Sequence, residues 1–126
     1  MNLVVDTSVL IDHLRGGNTW KKVVDESGED LKLFVPTIVI FELFSGQSTR
    51  DSSIVVKIYQ LLHNFQQVKL DENIAKIAGE LFRDTNQRIQ VSDYIIAASA
   101  LSINAIVLTL NQKNFAQIPN LSLYPL

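Results

Sequence analysis

The sequence predicts an α/β protein with a mostly parallel central sheet and helices on both faces, a three-layer α/β/α arrangement. Short continuous apolar runs, of which Leu3-Val4-Val5 is the first, alternate with stretches whose apolar residues recur three and four apart. Gly, Pro, Asn and Ser fall between the two kinds of segment. The alternation continues through all 126 residues with no linker, repeat or low-complexity tract, so one domain over 1–126 is expected. Such alternation builds a sheet joined by helical crossovers, and ligands of these sheets bind beyond the carboxyl ends of the strands.

In order, Leu3 to Val5 reads as a strand stopped at Asp6-Thr7-Ser8, one of which should cap the helix carrying Val9, Leu10, Ile11 and Leu14. Gly16-Gly17 ends that helix, and a polar loop follows in which Trp20 is either a partner anchor or a plug. Leu31 to Val35 is a second strand closed by Pro36. Thr37 opens a very apolar helix, Ile38 to Phe44, stopped by Gly46. Ser52 or Ser53 should cap a third helix with a stripe of Val55, Ile58, Tyr59, Leu62 and Phe65. A short strand at Val68 to Leu70 precedes a fourth helix, whose stripe is Ile74, Ile77, Ala78, Leu81 and Phe82. The stripe residues of both helices are expected in the core. Ser92 should start a fifth helix, Asp93 to Ile103, followed by a strand at Ala105 to Thr109. A short helix over Asn111 to Ile118 and a terminal strand at Leu121 to Tyr124 complete the chain.

Composition narrows the function classes. With no cysteine, neither a disulfide framework nor a thiolate metal site can form, which suits a reducing cytoplasm. No leader pattern is visible, and no apolar run approaches the ~20 residues that cross a bilayer, so a cytoplasmic protein without membrane contact is expected. A formal charge of −2 argues against coating nucleic acid by charge alone, although a local basic surface would suffice for binding. Arg15, Lys21, Lys22, Arg50, Lys57, Arg83, Arg88 and Lys113 are scattered and each reads best as a solvated helix-face residue. The apolar fraction of 47% is high for so small a chain, so another chain is expected to cover part of the surface.

Three carboxylates stand where a bland core would not put them. Asp6 ends a strand at the expected ligand edge. Glu42 lies inside Ile38-Val39-Ile40-Phe41-Glu42-Leu43-Phe44, where a buried acid needs a cation, a donor or a metal. Asp93 falls in the first turn of Ser92-Asp93-Tyr94-Ile95-Ile96-Ala97-Ala98. The bland alternatives are a helix-start role for Asp6 and for Asp93 and a buried ion pair for Glu42. Glu42 is the hardest of the three to explain that way, because a mid-helix position offers no free N–H. Together the three acids point to a shared cationic centre. Oxygen ligands without His or Cys suit Mg²⁺ or Mn²⁺ rather than zinc. His13 and His63 occupy polar helix positions, outside any ligand spacing, and are expected at the surface. A carboxylate-held metal at a sheet edge suits phosphate chemistry. No P-loop exists, and Ser8, two positions after Asp6, stands where an aspartyl-phosphate enzyme would carry a second Asp.

At these residues the chain resembles a known family. Leu3-Val4-Val5-Asp6-Thr7-Ser8-Val9-Leu10-Ile11-Asp12 is similar to the opening of PIN domains. Val35 to Leu43, with Glu42 as the second acid, resembles their second-helix signature, and Ser92 to Ala100 resembles their Asp followed by an Ile-Ala-Ala run. Val107 to Phe115, then Ile118-Pro119 and Tyr124-Pro125, resembles the last block of VapC toxins. Only residues 16–30 and 45–53 carry nothing of the resemblance.

The resemblance implies a PIN-like fold and a metal-dependent endoribonuclease, the toxin of a toxin–antitoxin pair. It implies a homodimer, an RNA substrate and neutralisation by a VapB-type antitoxin. It places catalysis and Mg²⁺ or Mn²⁺ on Asp6, Glu42 and Asp93, with the hydroxyls of Thr7, Ser8 and Thr109 in support. One departure stands out. Where family members carry further acids in the last block, this chain has Asn111 and Asn114, amides that can still ligate a metal but bring no charge. A weaker second metal is therefore expected. The competing reading is a catalytically weak PIN domain that binds RNA or protein; a phosphatase or DNA nuclease is a lesser alternative.

Overall fold

A computed structural model describes residues 1–85 and 89–126; Arg88, among the candidate basic residues, lies outside them. Among the described residues, four strands form one all-parallel sheet: β1 (Asn2–Val5), β2 (Lys32–Pro36), β3 (Gln66–Val68) and β4 (Ile106–Leu108), in the order β3-β2-β1-β4. Flanking them are α1 (Thr7–Leu14), α2 (Thr19–Ser27), α3 (Thr37–Phe44), α4 (Ser52–Leu62), α5 (Glu72–Asp84), α6 (Val91–Ser102) and α7 (Gln112–Phe115). The α/β architecture expected from the alternating pattern is therefore the one observed.

Strand β1 lies inside the sheet, with Leu3 paired to Leu33 on one side and to Ile106 on the other. A strand covered on both faces has no use for alternating polarity, and Leu3, Val4 and Val5 are all fully buried. Helix α6 packs across β1, β2 and β4. Its Ile96, Ala97, Ala98 and Ala100 are fully enclosed, and the small alanines let the helix backbone come close to the sheet.

Several local expectations need correction. The loop expected after Gly17 contains α2, because Trp20 and Val23, three apart, bury one face of an otherwise charged segment. Trp20 is a plug: it stacks on Phe65 at 5.3 Å. Phe65 itself lies beyond the end of α4, not on its stripe. Strand β3 runs over Gln66–Val68, two residues before its expected place, since at the sheet edge only Val68 needs burial. Asp51, not Ser52 or Ser53, caps α4. Helix α6 begins at Val91 rather than Ser92, and α7 is limited to Gln112–Phe115. The expected terminal strand makes a single parallel bridge, Val107 to Leu123, without joining the sheet as a named strand. Tyr59, expected in the core, is 62% exposed. His63 is exposed as expected, whereas His13 is half-buried, with Nδ1 enclosed and unpartnered.

The order β3-β2-β1-β4 also locates the functional end. From β1 the chain steps outward through β2 and β3, then returns to place β4 on the far side of β1. The direction of winding reverses between β1 and β4, and crevices open at such reversals beyond the carboxyl ends of the strands. Asp6 follows β1 and Thr109 follows β4, so both stand at that point. No described helix is long and apolar enough to cross a membrane.

Candidate metal centre

Asp6 is held first by its backbone. Its N–H donates to Leu108 O at 2.9 Å, extending the β1–β4 ladder one residue past the strand end. The residue takes the position that caps α1 (φ −76°, ψ 152°), yet its side chain accepts no backbone N–H of the helix. The carboxylate turns towards β4 instead. Its Oδ2 accepts from Thr109 Oγ1 at 2.7 Å and from Ser8 Oγ at 2.8 Å. Both hydroxyls are oriented by the backbone of the β4–α7 connection. Leu110 N–H donates to Ser8 Oγ at 3.1 Å, and Asn111 N–H donates to Thr109 Oγ1 at 2.9 Å. Asp6 is 3% exposed and Thr109 fully buried, so the bond between them is well shielded.

Glu42 reaches the same place from α3, which packs on α1. Its Oε1 accepts from Thr7 Oγ1 at 2.8 Å. The surroundings differ from the apolar enclosure expected. Glu42 is half-buried, and its neighbour Phe41 is 67% exposed, because α3 turns one face to solvent and the acid to a cleft. An ion pair does not account for Glu42 either. Among the described residues the salt bridges are Lys76–Glu80 and Arg83–Asp84, both on the surface.

Asp93 comes from the first turn of α6, with its backbone N–H bonded to Gln90 O at 3.0 Å. It is 9% exposed, and no side-chain cap closes the helix start. Burial, then the negative charges of Asp6 and Glu42, push its carboxyl up to about 6.

Asp6, Thr7, Ser8, Glu42, Asp93, Asn111 and Asn114 all line one open cavity of about 580 Å³. Thr109 stands behind Asp6 rather than in the wall. Ile11, Ile89 and Gln90 also line it and were missed by sequence reasoning; Gln90 had one signal, its place just before the apolar α6 run. Carboxylate, amide and hydroxyl oxygens form a donor set that fits a hard divalent ion. Among the described residues no three acids or histidines are already drawn around a single point. An open cleft of this kind suits an ion that keeps several of its waters, as Mg²⁺ does. The residues that would hold it are Asp6, Glu42 and Asp93.

Comparison with known proteins identifies the family and agrees with the fold. The family model described as PIN domain matches residues 3–121. Ribonuclease VapC19 of Mycobacterium tuberculosis is 31% identical over 124 residues, covering 94% of this chain and 95% of that one. Ribonuclease VapC of Rickettsia bellii is 32% identical over 130 residues, covering 96% and 93%. Among solved structures, the VapBC2 complex of Rickettsia felis bound to a promoter DNA fragment contains a chain that superposes with a TM-score of 0.87. That chain is 23% identical, with 98% of each covered. VapBC-1 of nontypeable Haemophilus influenzae gives 0.83 at 23% identity, covering 98% and 97%.

Proposed function

The chain belongs to the PIN domain family, in its VapC branch, and on that premise we propose that it is a metal-dependent endoribonuclease, the toxin of a toxin–antitoxin pair. The observation that carries the proposal is the meeting of three acids from distant parts of the chain, Asp6, Glu42 and Asp93, on one cleft at the sheet's winding reversal. Burial, and then the charges of Asp6 and Glu42, raise the Asp93 carboxyl, and a bound cation would favour its ionised form.

A bound Mg²⁺ or Mn²⁺ supplies an activated water and neutralises charge on the leaving oxygen. The protein's part is to hold and orient. Asp6 and Glu42 are aimed by the hydroxyls of Ser8, Thr109 and Thr7, while Asp93 joins the same cavity from α6. Asn111 and Asn114 offer amide groups to the same cavity, as ligands for an ion or donors to an RNA phosphate. Because they bring no charge, a second ion binds weakly or arrives with the RNA. A VapB-type antitoxin and a second copy of the chain are the proposed partners, in the cytoplasm. Exposed Phe41, Val56, Tyr59 and Val91, all more than half exposed, support coverage by other chains.

The test is cleavage of total RNA by purified protein with Mg²⁺ or Mn²⁺, beside EDTA and Asp93→Asn controls. Discrete fragments that vanish in both controls are expected. Folded, metal-loaded protein that cuts nothing would favour the second reading, a binding module, for which the amides at 111 and 114 are the specific observation.

A further inference from the structure

Resting on the metal-dependent reading above, we infer that Ser8, Thr109 and Thr7 restrict Asp6 and Glu42 to one-oxygen ligation and thereby set the centre's preference for Mg²⁺ or Mn²⁺ over Ca²⁺.

The argument is one of lone pairs. A carboxylate oxygen has about two acceptor positions. On Asp6 Oδ2 both are taken, by Thr109 Oγ1 at 2.7 Å and Ser8 Oγ at 2.8 Å. Neither hydroxyl is free to turn away. Ser8 Oγ accepts the Leu110 N–H and Thr109 Oγ1 accepts the Asn111 N–H, so each proton is directed at Asp6. The two hydroxyls are 3.4 Å apart, too far to compete strongly for each other's proton. What remains is Oδ1, to which no described residue donates. Glu42 repeats the pattern more lightly: Thr7 Oγ1 holds Oε1 at 2.8 Å and leaves Oε2. Asp93 has no side-chain anchor among the described residues and can follow an ion's position.

Single oxygens fixed in direction are what a small octahedral ion requires. Ca²⁺ takes more ligands and commonly both oxygens of one carboxylate, at longer distances. To chelate Ca²⁺, Asp6 would have to give up two hydrogen bonds, the one from Thr109 buried, and Glu42 one. The three hydroxyls are thus positioning residues that act through the carboxylates on the ion's identity.

Calorimetric titration of the purified chain with MgCl₂ and with CaCl₂ tests this, with Asp93→Asn marking the site. Ser8→Ala and Thr109→Val should weaken Mg²⁺ binding by about tenfold or more, the usual scale for groups behind a ligand. Ca²⁺ binding should hold or strengthen, so the Mg²⁺:Ca²⁺ ratio falls. Thr109→Ser, which keeps the hydroxyl, should keep the wild-type ratio. Ser8 is only half-buried, so Ser8→Ala carries the test should Thr109→Val unfold. Wild-type Mg²⁺ binding with an unshifted ratio in Ser8→Ala overturns this inference alone. If the wild type binds no divalent ion that Asp93→Asn abolishes, the metal-dependent reading falls and takes this inference with it.

Discussion

Four aspartates in this chain stand at helix starts, and they divide into two pairs. Asp51 and Asp71 cap α4 and α5: Asp51 Oδ1 accepts the Ser53 N–H at 2.9 Å, and Asp71 Oδ1 accepts the Ile74 N–H at 2.9 Å. Asp6 holds the same capping place at α1 and Asp93 is the third residue of α6, yet neither carboxylate accepts a backbone N–H of its helix. The first pair is exposed and the second buried. The electrostatics follow. Hydrogen bonds from Ser53 hold Asp51 below its ordinary range, while burial and like charge drive Asp93 up to about 6. An aspartate at a helix start ordinarily lowers the helix's free energy. Here two of them forgo that role and crowd together, at a cost to the fold that a bound cation would offset.

The sharpest way to break this contrast is by activity. Asp6→Asn or Asp93→Asn should lower RNA cleavage by about a thousandfold or more, the several kcal/mol that a correctly held metal contributes. Asp71→Asn should leave the rate unchanged in the same assay. Loss of cleavage with Asp71→Asn, or retention with Asp93→Asn, would erase the distinction between the pairs.

A second route adds charge to the cleft. Asn114→Asp should strengthen the weaker metal site by about tenfold in a metal titration, since a carboxylate replaces a neutral ligand. Titrations identical to wild type would show that position 114 does not face an ion.

The third separates the pairs by pH. Because the folded-state carboxyl of Asp93 lies above its ordinary 3.8, folding takes up protons, and the stabilisation is complete below that value. It is lost as pH rises through about 6. The metal-free chain should therefore melt lower at about pH 7.5 than at about pH 5. Asp93→Asn should flatten the dependence, and added Mg²⁺ should raise the melting temperature most at the higher pH. Asp51 has the opposite sign, gaining stability above its depressed value and losing it on acidification. The smallest effect belongs to the caps: Asp71→Ala should cost about 1 kcal/mol in denaturant unfolding, with cleavage per folded molecule unchanged.

Much of the fold was legible because period and burial coincide. Leu3-Val4-Val5 reads as a covered strand and is one, and the Ile74, Ile77, Ala78, Leu81 stripe reads as α5 and packs on α6. What escaped was α2, where two buried residues, Trp20 and Val23, carry the packing of a segment otherwise charged or exposed. Strand β3 escaped in register, because an edge strand burying one residue leaves almost no pattern. The terminal strand read from Leu121 to Tyr124 shrank to one bridge, since apolar sequence does not guarantee a partner edge.

Local sequence alone determined which segments are strands and helices, and which acids sit where apolar neighbours make them costly. That is because propensity, periodicity and the expense of burying charge are properties of short stretches. Only the tertiary structure decided that residues 6, 42 and 93 share a cleft, that Glu42 faces it from a half-exposed helix, and that Ser8 and Thr109 meet on one oxygen of Asp6. Those facts depend on β4 returning to lie beside β1, a contact spanning some hundred residues. No local pattern specifies it; it follows from how the strands satisfy one another's backbone across the sheet.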